Sequence, residues 1–301
     1  MRKTIVSMIG GVVVLCVVGT VWAGMTGDTG IQLQYIVQPV TTMQGLTPAM
    51  CDGMDTYSAM KLTDTRNGQA YFVRKMPDGK CWMIDNLKLA GNLVLTPVDS
   101  DVLVNTPVDL SVPTTSGYLT SDGLNSSATA SVFKYVDPSS TDVCVYGFGV
   151  ADGSASGCGY LYNWYTATAG TGTSAATQDT TSSICPAGWG LPFYSATDSE
   201  NDSAVLNGAM NGGGPTTSIH QNAGDLYYAK NWWYTGPFKG TAVGYWTNAY
   251  NGQGTRADFW NRNRTTSASR YTTIINTGWA TGSAGNMQDG RAVRCILRED
   301  S

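Results

Sequence analysis

Apolar and polar positions show turn-punctuated β patterns over much of the chain. In Leu62-Thr-Asp-Thr-Arg-Asn-Gly-Gln-Ala-Tyr-Phe-Val73, Asn67-Gly68 sits between two β-prone flanks, and Pro77-Asp-Gly79 precedes Cys81-Trp-Met-Ile84. Such turn residues predict two or three antiparallel strands, and Asp85-Asn-Leu-Lys-Leu89 ends the unit. Gly159-Tyr-Leu-Tyr-Asn-Trp-Tyr165 is apolar and aromatic, as a buried strand or short helix would be. Cys185-Pro-Ala-Gly-Trp-Gly-Leu-Pro192 joins a cysteine, two prolines and a tryptophan in a tight chain path, the expected hub of the fold. Ser195 or Thr197 is placed to cap a helix through Met210, with Asp198 and Glu200 favourable in its first turn; Asn211-Gly-Gly-Gly-Pro215 stops it. From Tyr227 to Ile296, aromatic clusters alternate with glycine turns, predicting a meander of short strands and long loops. It closes on Gly290-Arg-Ala-Val-Arg-Cys-Ile-Leu297, whose alternation of charged and apolar residues predicts a half-buried strand.

The N-terminus departs from this pattern. Met1-Arg-Lys3 is basic, Thr4 to Ala23 carries no charge, and Val21-Trp-Ala23 offers small residues around a cleavage point. Residues 1–23 therefore read as a signal peptide, with an uncleaved membrane anchor through residues 4–23 as the alternative, since about 20 apolar residues can cross a bilayer. Thr4 to Ala23 is expected to form a separate hydrophobic helix, because its apolar residues show no single stripe. Cys16 follows Leu15, which is bulkier than a lipoprotein cleavage site accepts. Residues 24–58 read as a stem with one strand, in Ile31 to Val37, and one short helix.

Composition narrows the class. Only 13% of residues are charged, Glu occurs only at 200 and 299, and Gly is abundant at 36 residues. Long solvated helices are disfavoured, so a loop-rich α+β fold of short antiparallel strands with one or two helices is expected. Without residues 1–23 the chain has 16 basic and 22 acidic residues, a formal charge of −6. Nucleic acid is not the expected partner. From Asn92 to Val143, Ser, Thr and Gly dominate, and Thr96-Pro-Val-Asp99 recurs as Thr106-Pro-Val-Asp109, which reads as a surface insertion, partly β and partly mobile.

Outside residues 1–23 there are six cysteines, 51, 81, 144, 158, 185 and 295. An even number in an exported chain predicts three disulfides. The residues by themselves leave the connectivity open; Cys51 just before the first hairpin and Cys81 inside it are a plausible pair, and Cys144 with Cys158 would close a Gly-rich loop. One acidic side chain in that loop, Asp152, is too few for calcium. No Cys-x-x-Cys occurs and His220 is the only histidine, which disfavours zinc. No glycine run carries the phosphate-loop signal, and no cofactor is expected.

Several of these segments together look familiar: Leu62 to Tyr71, Cys81-Trp-Met-Ile-Asp-Asn-Leu87, Gly159-Tyr-Leu-Tyr-Asn-Trp164, Cys185-Pro-Ala-Gly-Trp-Gly-Leu-Pro192, Gly244-Tyr-Trp246 and Val293-Arg-Cys295. Their order resembles the Fibrobacter succinogenes major paralogous domain over about residues 59–298. The resemblance implies a C-type lectin-like fold, distantly similar to formylglycine-generating enzymes, in an exported and often surface-associated bacterial protein. It implies no known activity. It also supports pairing Cys185 with Cys295, as the closing elements of such a fold. Two departures stand out: Gly190 where many family members have histidine, and Tyr245-Trp-Thr-Asn248 where they continue Trp-Trp-Ser-Ser. Trp246-Thr-Asn248 resembles the Trp-Asn-Asp calcium motif of sugar-binding lectins, but its middle residue differs and neither Glu-Pro-Asn nor Gln-Pro-Asp occurs. Calcium-dependent sugar binding is not supported.

The expected function is a non-enzymatic binding or adhesion module, secreted or attached to the cell surface, for an extracellular glycan or protein. A structural envelope or appendage subunit is the alternative. A thiol-dependent enzyme related to formylglycine-generating enzymes is a second alternative, disfavoured because closed disulfides offer no thiolate. Positive charge concentrates at Arg256, Arg262, Arg264 and Arg270, opposed only by Asp258, a local balance of +3. Arginine is costly to bury unpaired, so these side chains are expected at the surface, forked onto carboxylates or stacked on aromatics. Trp260 and Tyr250 are the expected exposed platforms beside them, while Trp246 and Trp189 are expected to be buried.

Overall fold

The computed structural model describes residues 40–89, 93–102, 159–169, 180, 182–215, 231–232, 236–247, 250–252, 255–264, 268–275 and 278–299, together with short strands at 6–9, 12–15, 21–24, 32–35, 108–109 and 132–134. The chain divides into two units, Met1–Thr41 and Thr42–Ser301.

The first unit holds two hairpins in place of the expected helix. Strands β1 (Val6–Ile9) and β2 (Val12–Leu15) pair antiparallel, as do β3 (Val21–Gly24) and β4 (Gln32–Tyr35). In sequence, Gly10 and Gly11 separate Ile9 from its partner Val12. Valine crowds the flanks, and β-branched side chains favour strands over helices. Hydrophobicity alone thus misread this segment. No helix among the described residues is long and apolar enough to cross a membrane.

The second unit is a mixed α+β fold, rich in strands and poor in helices. It starts earlier than the sequence divides it: Met43, Leu46 and Cys51 are buried, so the second half of the expected stem belongs to the fold. Helix α1 (Pro48–Asp52) starts at Thr47, whose side chain accepts from the Met50 amide. Strands β5 (Ala59–Thr63), β6 (Ala70–Lys75) and β7 (Cys81–Met83) form the predicted antiparallel unit. Gly68 at φ 71° takes the left-handed position of the first turn.

Within the expected insertion, β8 (Val94–Leu95) pairs with β9 (Val108–Asp109). Its start is anchored: Leu95 and Ser100 are buried, and the Asp101 amide donates to the Cys185 carbonyl. Strand β10 (Val132–Lys134) pairs with β11 (Tyr160–Tyr162), which leads directly into helix α2 (Trp164–Ala167), so Gly159 to Tyr165 is both strand and helix. The hub contributes β12 (Trp189–Gly190). Next comes α3 (Asp202–Met210), the longest helix among the described residues, preceded by a 3₁₀ turn at Asp198–Glu200. Its cap is Asn201, which accepts from the Ala204 amide, and not Ser195 or Thr197.

Strands β13 (Tyr245–Trp246) and β14 (Tyr250–Asn251) form a hairpin, and β15 (Arg256–Arg264), β16 (Ser269–Ile275) and β17 (Gly278–Gly285) an antiparallel three-stranded sheet. These last three are longer than the short strands expected. Strand β18 (Ile296–Leu297) enters a five-stranded sheet of order β12-β18-β7-β6-β5. The closing run is not half-buried: residues 287–297 are buried throughout, because Ala292 bridges to Phe259 on one side while the Met83 amide donates to the Cys295 carbonyl on the other. Trp82, Leu206, Trp232, Phe259, Trp279 and Ile296 from these layers share one core cluster.

Among the described residues there are two disulfides, Cys51–Cys81 and Cys185–Cys295, with Cα atoms 6.0 and 5.9 Å apart. Both are the expected pairs, and such bridges suit an oxidising compartment. Cys144, Cys158, their loop and His220 lie outside the described residues.

Candidate functional site

The segments that carry the family resemblance are built into the scaffold. Asp64 and Arg66 form a buried bidentate pair, with Nε and Nη2 of Arg66 on both carboxylate oxygens. Arg66 Nη1 then reaches across to the Ile184 and Cys185 carbonyls (2.7 and 3.2 Å) and so clamps the hub onto the first hairpin. Asp85 accepts from the Phe72 amide, and Asn86 accepts from Arg294. Tyr162 Oη accepts from the Leu89 amide, Trp164 Nε1 donates to the Asn261 carbonyl, and Trp189 Nε1 donates to the Met43 carbonyl. Trp189 is buried as expected. At the departure Gly190, a Cβ would collide with the Arg298 guanidinium, which pairs instead with Asp101 at 2.9 Å. Histidine at 190 would displace that ion pair.

Arg294 is fully buried between Phe238 and Phe259, its guanidinium carbon 4.7 and 4.9 Å from their ring centroids. Burial pulls its pKa down to about 9, and the charge of Asp85 opposes that shift.

Buried acids, Asp78, Asp85 and Asp101 among them, are perturbed in the other direction. Burial raises Asp78 and Asp85 to about 6 and Asp101 to about 7, against the opposing Trp82 hydrogen bond, Phe72 amide and Arg298 charge respectively. Between the ordinary carboxylate value near 4 and these folded values, the native state holds protons that the unfolded chain has released. Stability is then greatest at low pH within this window and is lost as pH rises through 6 to 7. Calorimetric melting is expected to give a higher Tm at pH 5 than at pH 8; an equal or lower Tm at pH 5 would contradict these shifts.

A second polar cluster lies on the face of the three-stranded sheet that carries Asp258. Asp258, Trp260, Tyr271 and Thr273 share this face, since Asp258 pairs with Thr273 and Trp260 with Tyr271 in the β15–β16 register. Arg291 from the closing run lies across it, 3.9 Å from the Tyr271 centroid and 4.6 Å from that of Trp260. Gly285 makes room for this arginine, because a Cβ there would lie 2.7 Å from its Nη2. Arg291 donates from Nη1 to Asp289 Oδ2 (3.0 Å) and faces Asp258 Oδ2 through Nε at 3.4 Å. Burial raises the pKa of Asp289, and the Arg291 charge opposes the rise.

The rim above this floor is half-exposed: Tyr245, Trp246 and Arg256. Arg256 stacks over Tyr245 at 4.6 Å, donates from Nε to Asp258 Oδ1 (2.7 Å) and from Nη2 to Tyr271 Oη (3.2 Å). Burial alone would lower its pKa, but the Asp258 hydrogen bond and charge outweigh it, so the guanidinium stays charged. Its Nη1 has no hydrogen bond among the described residues. In the floor, Asp258 Oδ2, Asp289 Oδ1 and Arg291 Nε are buried without a hydrogen-bond partner among the described residues. The arrangement offers two half-exposed aromatic side chains, Tyr245 and Trp246, beside a fixed cation, Arg256. It presents no nucleophile beside a base.

The predicted site residues separate on this framework. Trp260 is not a platform: it is fully buried, donates from Nε1 to the Tyr162 carbonyl and lies under Arg291. Its indole faces inward because β15 is covered on both faces. Arg256, Arg262 and Arg270 are half-buried instead of fully at the surface, and each stacks on a ring: Arg262 on Phe193 at 4.7 Å and Arg270 on Tyr194 at 5.2 Å. The side chains of Arg264 and Tyr250 lie outside the described residues. Trp246, expected to be buried, is half-exposed, with one side packed against the core cluster. Arg291, Arg294 and Arg66 were missed, because alternation assigns charges to the solvent side. The chain matches no protein-family model, no curated protein and no solved structure.

Proposed function

We propose that this chain is an exported bacterial surface protein acting as a non-enzymatic binding or adhesion module for a glycan or protein, on a C-type lectin-like scaffold similar to the Fibrobacter succinogenes major paralogous domain. The ligand rests on the β13–β14 hairpin, with Tyr245 and Trp246 as contact faces and Arg256 as the polar anchor. One observation carries this reading: the other motif residues are buried and bonded within the scaffold, whereas Tyr245, Trp246 and Arg256 are half-exposed and Arg256 is held in place by its stack on Tyr245. Aromatic rings with an adjacent arginine are favoured contact residues at binding surfaces. The four described disulfide cysteines offer no thiolate for the enzyme alternative.

The test is a glycan and protein array probed with the full chain. Binding is expected, and Tyr245→Ala should weaken it by about tenfold or more, as loss of a central aromatic contact does, while the Tm stays near that of the parent. No ligand on either array, or a Tyr245→Ala protein that binds like the parent, would sink the reading.

A further inference from the structure

The two described disulfides differ in their surroundings. Cys185 and Cys295 are both fully buried, beneath the hub that Arg66 clamps. Cys51 and Cys81 instead line a cleft of about 350 Å³, with Pro48, Asp52, Lys80, Arg298 and Glu299 among its other walls. Of the two sulfurs, that of Cys51 belongs to the residue with residual exposure, 3% against 0% for Cys81. Lys80, next in the chain to Cys81, lines the same cleft and is paired with Asp202 at 2.9 Å and Glu299 at 4.0 Å.

The bridge ties α1 to β7, but the fold on either side of α1 is held by other bonds. Before the helix, Thr42 bridges to Thr63, Met43 is buried and takes the Trp189 hydrogen bond, and Gln44 donates to Asp64. After it, β5 pairs along its length with β6. Opening the bridge therefore frees a short helix without dismantling the sheet.

We propose that Cys51–Cys81 is an exchange site for a small thiol, which enters the cleft and forms a mixed disulfide with Cys51. The thiolate RS⁻ attacks Cys51 Sγ, a new S–S bond forms there, the Cys51–Cys81 bond breaks, and Cys81 leaves as a thiolate carrying the electron pair. One disulfide replaces another, so no oxidant is consumed. The Lys80 ammonium stabilises the departing thiolate, and a more acidic leaving thiol departs faster.

The test uses the oxidised full chain and reduced glutathione under native conditions, followed by maleimide trapping and peptide mapping. Glutathione is expected on Cys51 and maleimide on Cys81, with Cys185 and Cys295 unmodified and the near-UV circular dichroism retained. Lys80→Gln should slow the exchange roughly threefold, the order of effect of one unit in thiol pKa, and Lys80→Arg should restore the rate. An unmodified Cys51, equal modification of Cys185 and Cys295, or adducts that appear only as the near-UV signal is lost would overturn the proposal. A Lys80→Gln protein that exchanges at the parent rate would remove the role given to Lys80.

Discussion

Replacing Arg294 by alanine is expected to destabilise the protein by about 4 kcal/mol, read as a shift in the denaturant midpoint at constant slope. Three short hydrogen bonds end on this guanidinium: Nε to Asn86 Oδ1 at 2.7 Å, Nη1 to the Phe238 carbonyl at 2.6 Å and Nη2 to the Lys239 carbonyl at 2.7 Å. Alanine leaves three acceptors unmet and opens a cavity between Phe238 and Phe259. Arg294→Met keeps most of the volume but none of the donors, so it should remain destabilised by about 2–3 kcal/mol. If methionine were as stable as arginine, packing alone would account for this residue. Lys239 itself sits at φ 56°, a costly region for a residue with a Cβ, at the same turn whose carbonyls accept from Arg294.

Removing the Cys185–Cys295 bridge as the double alanine variant should cost about 4–5 kcal/mol by the chain-entropy estimate for a loop of roughly 100 residues. The two cysteines are 110 positions apart, so reduction releases a long stretch of the unfolded chain. The native state has little to gain in return. Arg66, the Met83 amide on the Cys295 carbonyl, and β12 against β18 hold both cysteines in place. Removing the Cys51–Cys81 bridge, with a separation of 30, should cost about 1 kcal/mol less, because the entropy of closure grows only with the logarithm of loop length. Urea unfolding of the two double variants ranks them, and a larger loss for Cys51–Cys81 would contradict the loop-length account.

The local parts of the fold were legible because their signals are local. Asn67-Gly68 marks a hairpin, Asn211-Gly-Gly-Gly stops a helix, and Cys51 beside the first hairpin pairs with Cys81 inside it, while Cys185–Cys295 was expected from the resemblance. The arginine placements were not legible. In Gly290 to Leu297 the pattern that predicts an outward charge instead brings Arg291 and Arg294 inward, and their partners lie far away in sequence: Asn86 is 208 positions from Arg294. Trp260 was misplaced for the same reason, since the cation that covers it, Arg291, comes from the distant closing run. At the N-terminus, composition pointed to a helix, while the β-branched valines of β1 and β2 favour strands. Of the candidate site, Arg256 was identified from charge alone. Tyr245 and Trp246 were noticed as a motif, but their half-exposed position is not registered by periodicity.

Titration calorimetry with the strongest array ligand, on the parent, Tyr245→Ala and Phe193→Ala proteins, separates a ligand on the β13–β14 hairpin from one on the Arg262 stack. The expected result is binding by the parent and by Phe193→Ala, with loss confined to Tyr245→Ala. Binding retained in Tyr245→Ala, or lost equally in Phe193→Ala, would contradict a site at the hairpin.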